Sequence, residues 1–181
     1  MTLDHESRRV LLQLARSALE VAVGTTRDLA VLENPALRER RGAFVTLTRR
    51  GVLRGCIGRV ESDAPLATVL PEVARLAALS DPRFSPVLAT ELAEIRIEIS
   101  LLTVPTPLRE PLALVVGRDG VIVSARGRRG LLLPQVAAEY GWSNQEFLAR
   151  ACAKAGLSGD AWRAAGVRVA TFQAEVFAEP G

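Results

Sequence analysis

Between residues 94 and 103, apolar side chains return at every second position, Ile95, Ile97, Ile99 and Leu101, with Arg96, Glu98 and Ser100 between them. A period of two is a strand with one apolar face, and that face must be covered. The chain is thereby committed to a sheet packed on one side. A second alternating run lies upstream, where Ala43, Val45 and Leu47 oppose Phe44, Thr46 and Thr48, and Arg49-Arg50-Gly51 offers a turn into residues 52–57. These two runs predict a hairpin beside the first strand.

Helical periodicity supplies the cover. Residues 4–23 carry Val10, Leu11, Leu14, Ala15, Ala18, Leu19 and Ala22 at three-and-four spacing, and Gly24 offers a stop. A shorter helical piece is expected over residues 27–33, closed by Asn34-Pro35. Ser62 or Asp63 is expected to cap a third helix, with Pro65 in its first turn, Leu66, Val69, Leu70, Val73, Leu76 and Ala77 on its core face, and a kink at Pro71.

Beyond three prolines at 105, 107 and 111, residues 112–116, 121–124 and 131–133 read as a three-stranded meander. A short helix over residues 134–140 follows. Ser143 and Glu146 then form a capping box for a helix over 144–155, which Gly156 ends. The final strand, residues 167–177, shifts its apolar phase between Val169 and Phe172, which predicts a bulge near Ala170 or Thr171. Helices outside hairpin-rich strands, without repeated βαβ units, favour an α+β fold over a doubly wound parallel sheet: a largely antiparallel sheet flanked by helices. With 181 residues, the chain has room for a single domain over residues 1–181, built as one core or as a larger and a smaller subdomain.

Composition removes several function classes. Apolar residues are 49% and charged residues 24%, the balance of an ordinary globular protein. No apolar run approaches the roughly 20 residues that cross a bilayer, and the start MTLDHESRR is not a signal peptide, so a cytoplasmic protein without a membrane partner is expected. Cys56 and Cys152 form no Cys-x-x-Cys pair and are expected as free thiols. His5 is the only histidine, in a surface position at the start of the first helix. Neither a histidine-based triad nor a two-histidine zinc site follows from it; no metal ligand set is read, and the cofactor is unknown.

The net charge of +3 is carried almost wholly by arginine. Clusters at Arg38, Arg40 and Arg41, at Arg49 and Arg50, and at Arg126, Arg128 and Arg129 lack interleaved aromatics and read as solvated hairpin tips. Their other reading is RNA or DNA binding. Trp142 reads as a core or subdomain-interface anchor rather than a stacking platform.

The chemistry-bearing stretch is Leu53-Arg54-Gly55-Cys56-Ile57-Gly58. Alternation puts Arg54 and Cys56 on one strand face, where the guanidinium would favour a thiolate or hold an anion, while Gly55 and Gly58 would admit a ligand to the backbone. Against this, a strand cysteine is often small apolar filler, and glycines at a strand end permit a bend. Acidic partners would come from Glu61, Asp81 or Glu139. In Asp81-Pro82-Arg83-Phe84, the acid and base either lock a loop or present charge to a ligand.

These pieces resemble the AMMECR domain family, the first component of the AmmeMemoRadiSam system. The resemblance rests on residues 53–58, Asp81-Pro-Arg-Phe84, the turn at 117–120, Leu131-Leu-Leu-Pro-Gln-Val-Ala137, Gly141-Trp142 and Lys154-Ala-Gly-Leu157 with Trp162, nearly the whole chain. It implies an α+β fold and a site at Arg54, Gly55, Cys56, Gly58, Asp81, Arg83 and Phe84; within that site the residues' own chemistry makes Cys56 and Asp81 the catalytic candidates. It also implies a Memo-like protein and a radical SAM protein as partners, but no reaction. Arg59-Val60 departs from the small polar residue and aromatic that many relatives carry. The function expected is an enzyme, or an accessory subunit of one, that binds a small anionic ligand; the alternatives are a non-catalytic docking partner and a nucleic-acid binder.

Overall fold

The structure, a computed structural model, describes residues 2–180 and divides into two compact units. One takes the chain as far as Leu102 and again from Glu175; the other is Thr103–Ala174. The fold is α+β, with antiparallel strand pairing throughout the described ladders.

In the first unit, helix α1 (His5–Ala22) starts where the Asp4 carboxylate accepts the Ser7 amide at 2.7 Å. Its apolar stripe is the one the spacing predicts, and Gly24, at φ +78°, ends it. The helical piece expected over residues 27–33 is irregular backbone. The Ala30 amide donates to Ser17 Oγ, and Asn34 Oδ1 takes the Ala36 amide, starting a single 3-10 turn, Pro35–Arg38, in its place.

Strands β1 (Ala43–Arg49) and β2 (Val52–Arg59) form the expected hairpin. Its two-residue turn has positive φ at both Arg50 and Gly51, the twist that matches the flanking strands. Helix α2 (Leu66–Leu79) has Pro65 at its N-cap, whose ring carries no acceptor, and neither Ser62 nor Asp63 caps it; Ser62 Oγ accepts the Ala64 amide in the preceding turn. Pro71 lies inside this helix. Strand β3 (Ile95–Leu102) pairs with β1, so β1 lies between its two neighbours and β2 is an edge. Leu11, Leu19, Val45, Leu47, Val73, Ile97, Ile99 and Leu101 are wholly buried in one core of strands and helices. Burial of such a side chain contributes about 1.5–3 kcal/mol before entropy is subtracted.

The second unit holds β4 (Thr106–Pro107), β5 (Asp119–Ala125), β6 (Arg128–Leu132), α3 (Pro134–Glu139) and α4 (Asn144–Lys154). The first strand of the expected meander is absent, since Pro111 opens a 3-10 turn there. The second neighbour of β5 is instead β7 (Arg168–Ala178), whose last residues belong to the first unit. The β5–β7 register runs unbroken from Asp119↔Gln173 to Ser124↔Arg168, so the bulge expected near Ala170 is not there. Val169 packs into the core with Val121, Val123, Phe147 and Leu148, while Phe172 lies on Gly120 from the other face. Burial of Val169 on one face and Phe172 on the other produces the phase shift without an extra residue.

Candidate functional site

The bulge in this molecule lies in β2. Leu47 pairs with Gly55 and Thr48 with Leu53, so Arg54 is the extra residue. A bulge interrupts alternation and re-aims a side chain, so Arg54 does not share a simple strand face with Cys56. Its guanidinium turns to Glu91, in the 3-10 turn Ala89–Glu94 that leads into β3. Nε donates to Glu91 Oε1 at 2.9 Å and Nη2 to Oε2 at 3.0 Å, a bidentate pair. Nη1 donates to the Ser85 carbonyl at 2.8 Å and Nη2 to that of Pro86 at 3.2 Å. Only 14% of the Arg54 side chain and 9% of that of Glu91 is exposed.

Glu91 is the centre of a larger network. It accepts the Leu88 amide at 2.8 Å and Arg49 Nη1 at 3.1 Å, and Arg49 Nε donates to Glu94 at 2.5 Å. Arg50 also pairs with Glu94. The Arg54 guanidinium first, and then the Leu88 amide, hold the Glu91 carboxyl down at a pKa of about 2. Three guanidiniums against two carboxylates leave one positive charge in excess.

Cys56 is held by the second motif. Asp81 is buried, and its Oδ2 accepts the Cys56 amide at 2.9 Å. Its carboxylate also takes the Arg83 amide at 3.1 Å, Nε at 2.9 Å and Nη2 at 2.6 Å. Arg83 Nη2 reaches the Cys56 carbonyl at 3.4 Å, and its guanidinium lies 5.3 Å from the Phe84 ring centre. The Arg83 hydrogen bonds, foremost, hold Asp81 well below the usual carboxylate range. Strand and loop are thus closed on each other at Cys56. The Cys56 thiol is half-buried and accepts the Thr46 hydroxyl at 3.3 Å.

Both glycines are sites of close packing. A Cβ on Gly55 would lie 2.2 Å from the Ala77 carbonyl oxygen of α2, and one on Gly58 would lie 2.3 Å from the Phe44 ring. The open space lies on the Arg54 side of the loop. A groove of about 720 Å³ is lined by Arg49, Arg54, Phe84, Pro86, Leu88 and Glu91, among others.

Of the expected residues, Gly55, Cys56, Gly58, Asp81 and Arg83 gather at the β2 edge, and Arg54 and Phe84 reach the groove. The sequence reasoning missed Arg49, Glu91 and Glu94. Their signal was an acidic pair three apart, in a segment ending at the alternating strand. Glu61 is exposed just after β2, and Glu139 belongs to the second unit. Among the described residues, no group of three or more His, Cys, Asp or Glu is placed to hold a metal ion, and no helix is long and apolar enough to cross a membrane.

Comparison with known proteins follows the same outline. The AMMECR1 family model matches residues 12–177. A protein of Methanothermobacter thermautotrophicus is 44% identical over 187 residues, covering 99% of this chain and 97% of its own. One of Thermofilum pendens is 44% identical over 195 residues, covering 98% and 92%. The crystal structure of an uncharacterized protein from Pyrococcus horikoshii matches with a TM-score of 0.89 at 38% identity, over 99% of this chain and 94% of that one. With a family model running through both units and relatives matched along nearly their full length, the chain belongs to the AMMECR1 family.

Proposed function

We propose that the first unit binds a small anionic ligand in the groove beside Arg54, as an enzyme or an accessory subunit acting with a Memo-like protein and a radical SAM protein. The observation that carries this reading is the groove's lining: Arg49 and Arg54, from a network with one excess positive charge, together with the apolar surfaces of Phe84, Pro86 and Leu88. Such a lining suits a compact ligand with an anionic end and an apolar body. Arg54 is the fixed part of the cationic wall, because Glu91 and two carbonyls hold it. Arg49 is the accessible part, with 42% of its side chain exposed. Cys56 supplies a thiol or a packing wall behind the loop, and Asp81 holds Arg83 in place.

Inorganic phosphate is the simplest probe. It is expected to raise the melting temperature of the wild-type protein and not that of Arg49→Ala; equal effects on both would remove the anion role. The partner arm is separate. A tagged chain expressed in its native host should recover both the Memo-like and the radical SAM protein, and recovery of neither would count against joint action.

A further inference from the structure

The sequence separates its aromatics from its basic clusters, but the fold of the second unit brings them together. Gly141, at φ +63°, turns the chain after α3 so that Tyr140 and Trp142 stack, with ring centres 4.9 Å apart and planes 14° from parallel. Tyr140 is the only tyrosine and is 68% exposed, although one ring face is covered by Trp142. Its other face is open to solvent. The Arg150 guanidinium lies 5.3 Å from the Trp142 ring centre, and Trp142 itself is anchored by half-burial against the core of this unit.

A basic track leads away from this stack. Arg150 and Lys154 are one turn apart on α4, hence on one helix face. At the end of α4, Arg128 Nη1 donates to the Gly156 carbonyl at 2.7 Å, which seats the β5–β6 hairpin beside Lys154. Arg126 is at the hairpin tip with positive φ. Glu146, one turn before Arg150 on the same helix, lies within its electrostatic reach, while its carboxylate hydrogen-bonds the Ser143 amide and hydroxyl in the capping box. Thr103–Ala174 contains nine basic and five acidic residues, so this unit alone exceeds the chain's whole net charge of +3.

From the stack and the adjoining track, we propose that the second unit binds single-stranded nucleic acid: one base stacks on the open face of Tyr140, and the following phosphates run along Arg150, Lys154 and Arg128. A stacked ring with an open π-face accepts any base, and a line of cations follows a backbone. Helix α4 is about 16 Å long at 1.5 Å per residue, enough for a few nucleotides. A docking surface for an apolar protein partner would not need the cationic track, whereas a nucleic acid uses both parts.

The test is fluorescence anisotropy of fluorescein-labelled octauridylate and octathymidylate with the full chain at low and moderate salt. Binding that weakens steeply with salt is expected. Tyr140→Ala is expected to weaken it roughly tenfold, the size of one lost base stack. Lys154→Gln should lower the slope of log affinity against log salt by about one. Tyr140 is exposed, so circular dichroism of Tyr140→Ala should match the wild type and separate lost stacking from lost fold. Absence of binding by either oligonucleotide at low salt would overturn the proposal, as would undiminished binding by Tyr140→Ala. Capture of a protein at this surface without oligonucleotide binding would overturn it equally.

Discussion

The Asp81 carboxylate accepts the Cys56 amide at 2.9 Å, while Arg83, held by the same carboxylate, reaches the Cys56 carbonyl at 3.4 Å. Cys56 is on the edge strand of its sheet, where backbone groups would otherwise stand open to solvent or to another chain. An ion pair two residues apart thus takes the place of a neighbouring strand at one position, and the Asp-Pro-Arg-Phe loop closes the edge. Asp81→Ala is expected to destabilise the protein by about 2–3 kcal/mol, the cost of a buried donor and a cation losing their acceptor. Asp81→Asn should recover part of this, since an amide oxygen still accepts the Cys56 amide. Urea denaturation of the three proteins decides it, and equal midpoints would contradict the bracing role.

Removing Glu91 should cost more than removing its partner Arg49. Glu91→Ala strands Arg54 against the Ser85 and Pro86 carbonyls with no counter-ion, and loss of one partner of a mostly buried pair costs on the order of 3 kcal/mol. Arg49 is partly solvated, and its loss leaves Glu91 still paired to Arg54.

The same carboxylate sets a pH dependence. In the folded protein Glu91 titrates at about 2, below its ordinary value of 4.5, so the folded state favours the ionised form. Its stabilisation is complete above the ordinary value and falls away as pH drops from there toward 2. The stability gap between wild type and Glu91→Gln, measured in urea, should therefore be widest near neutrality and narrow at pH 3. Asp81, displaced in the same direction, contributes to acid lability in both proteins and leaves the gap unaffected. A gap that is constant with pH would contradict the pairing.

The two cysteines should differ sharply in reactivity. Cys152 is wholly buried, and burial pushes its thiol pKa up, whereas Cys56 is half-buried. Iodoacetamide under native conditions, followed by peptide mass spectrometry, should label Cys56 and spare Cys152. Labelling of neither would leave Cys56 as filler beneath Thr46.

Gly55→Ala should be among the most damaging single-methyl additions in the chain. At Gly55 the new Cβ meets the backbone oxygen of Ala77, which cannot move without α2; at Gly58 it meets the Phe44 ring at 2.3 Å, which can turn, and the Ala43 backbone oxygen less closely, at 2.5 Å. A loss of about 3 kcal/mol is expected at Gly55, the upper range for overpacking. Denaturation midpoints of the two variants check the order.

Features set by local chemistry were legible in the sequence. The alternation at Ile95, Ile97, Ile99 and Leu101, the stripe of α1 and the Ser143–Glu146 box each depend on neighbours a few residues away, and each appears as expected. The hexapeptide and the Asp81 loop were also visible, as motifs. The Arg54 bulge was not, because it is fixed by pairing with β1 and by Glu91, 37 residues distant in sequence. Nor was the β7 register: Val169 is buried on one face and Phe172 on the other, so the apolar phase does not follow one side of the pleat. The stacking of Tyr140 on Trp142 is not legible in the sequence either, because the turn at Gly141 that brings the rings together acts only in three dimensions.

The proposed binding of an anion by the cationic wall of the groove can be observed at the wall itself. Arginine Nε–Hε resonances, assigned by loss in Arg49→Lys and Arg54→Lys, can be followed by nitrogen-edited NMR while inorganic phosphate is titrated in at constant ionic strength. Saturable shifts of the Arg49 and Arg54 signals are expected, with that of Arg83 unmoved beside Asp81. Shifts that are linear in phosphate and equal across all arginines would contradict it.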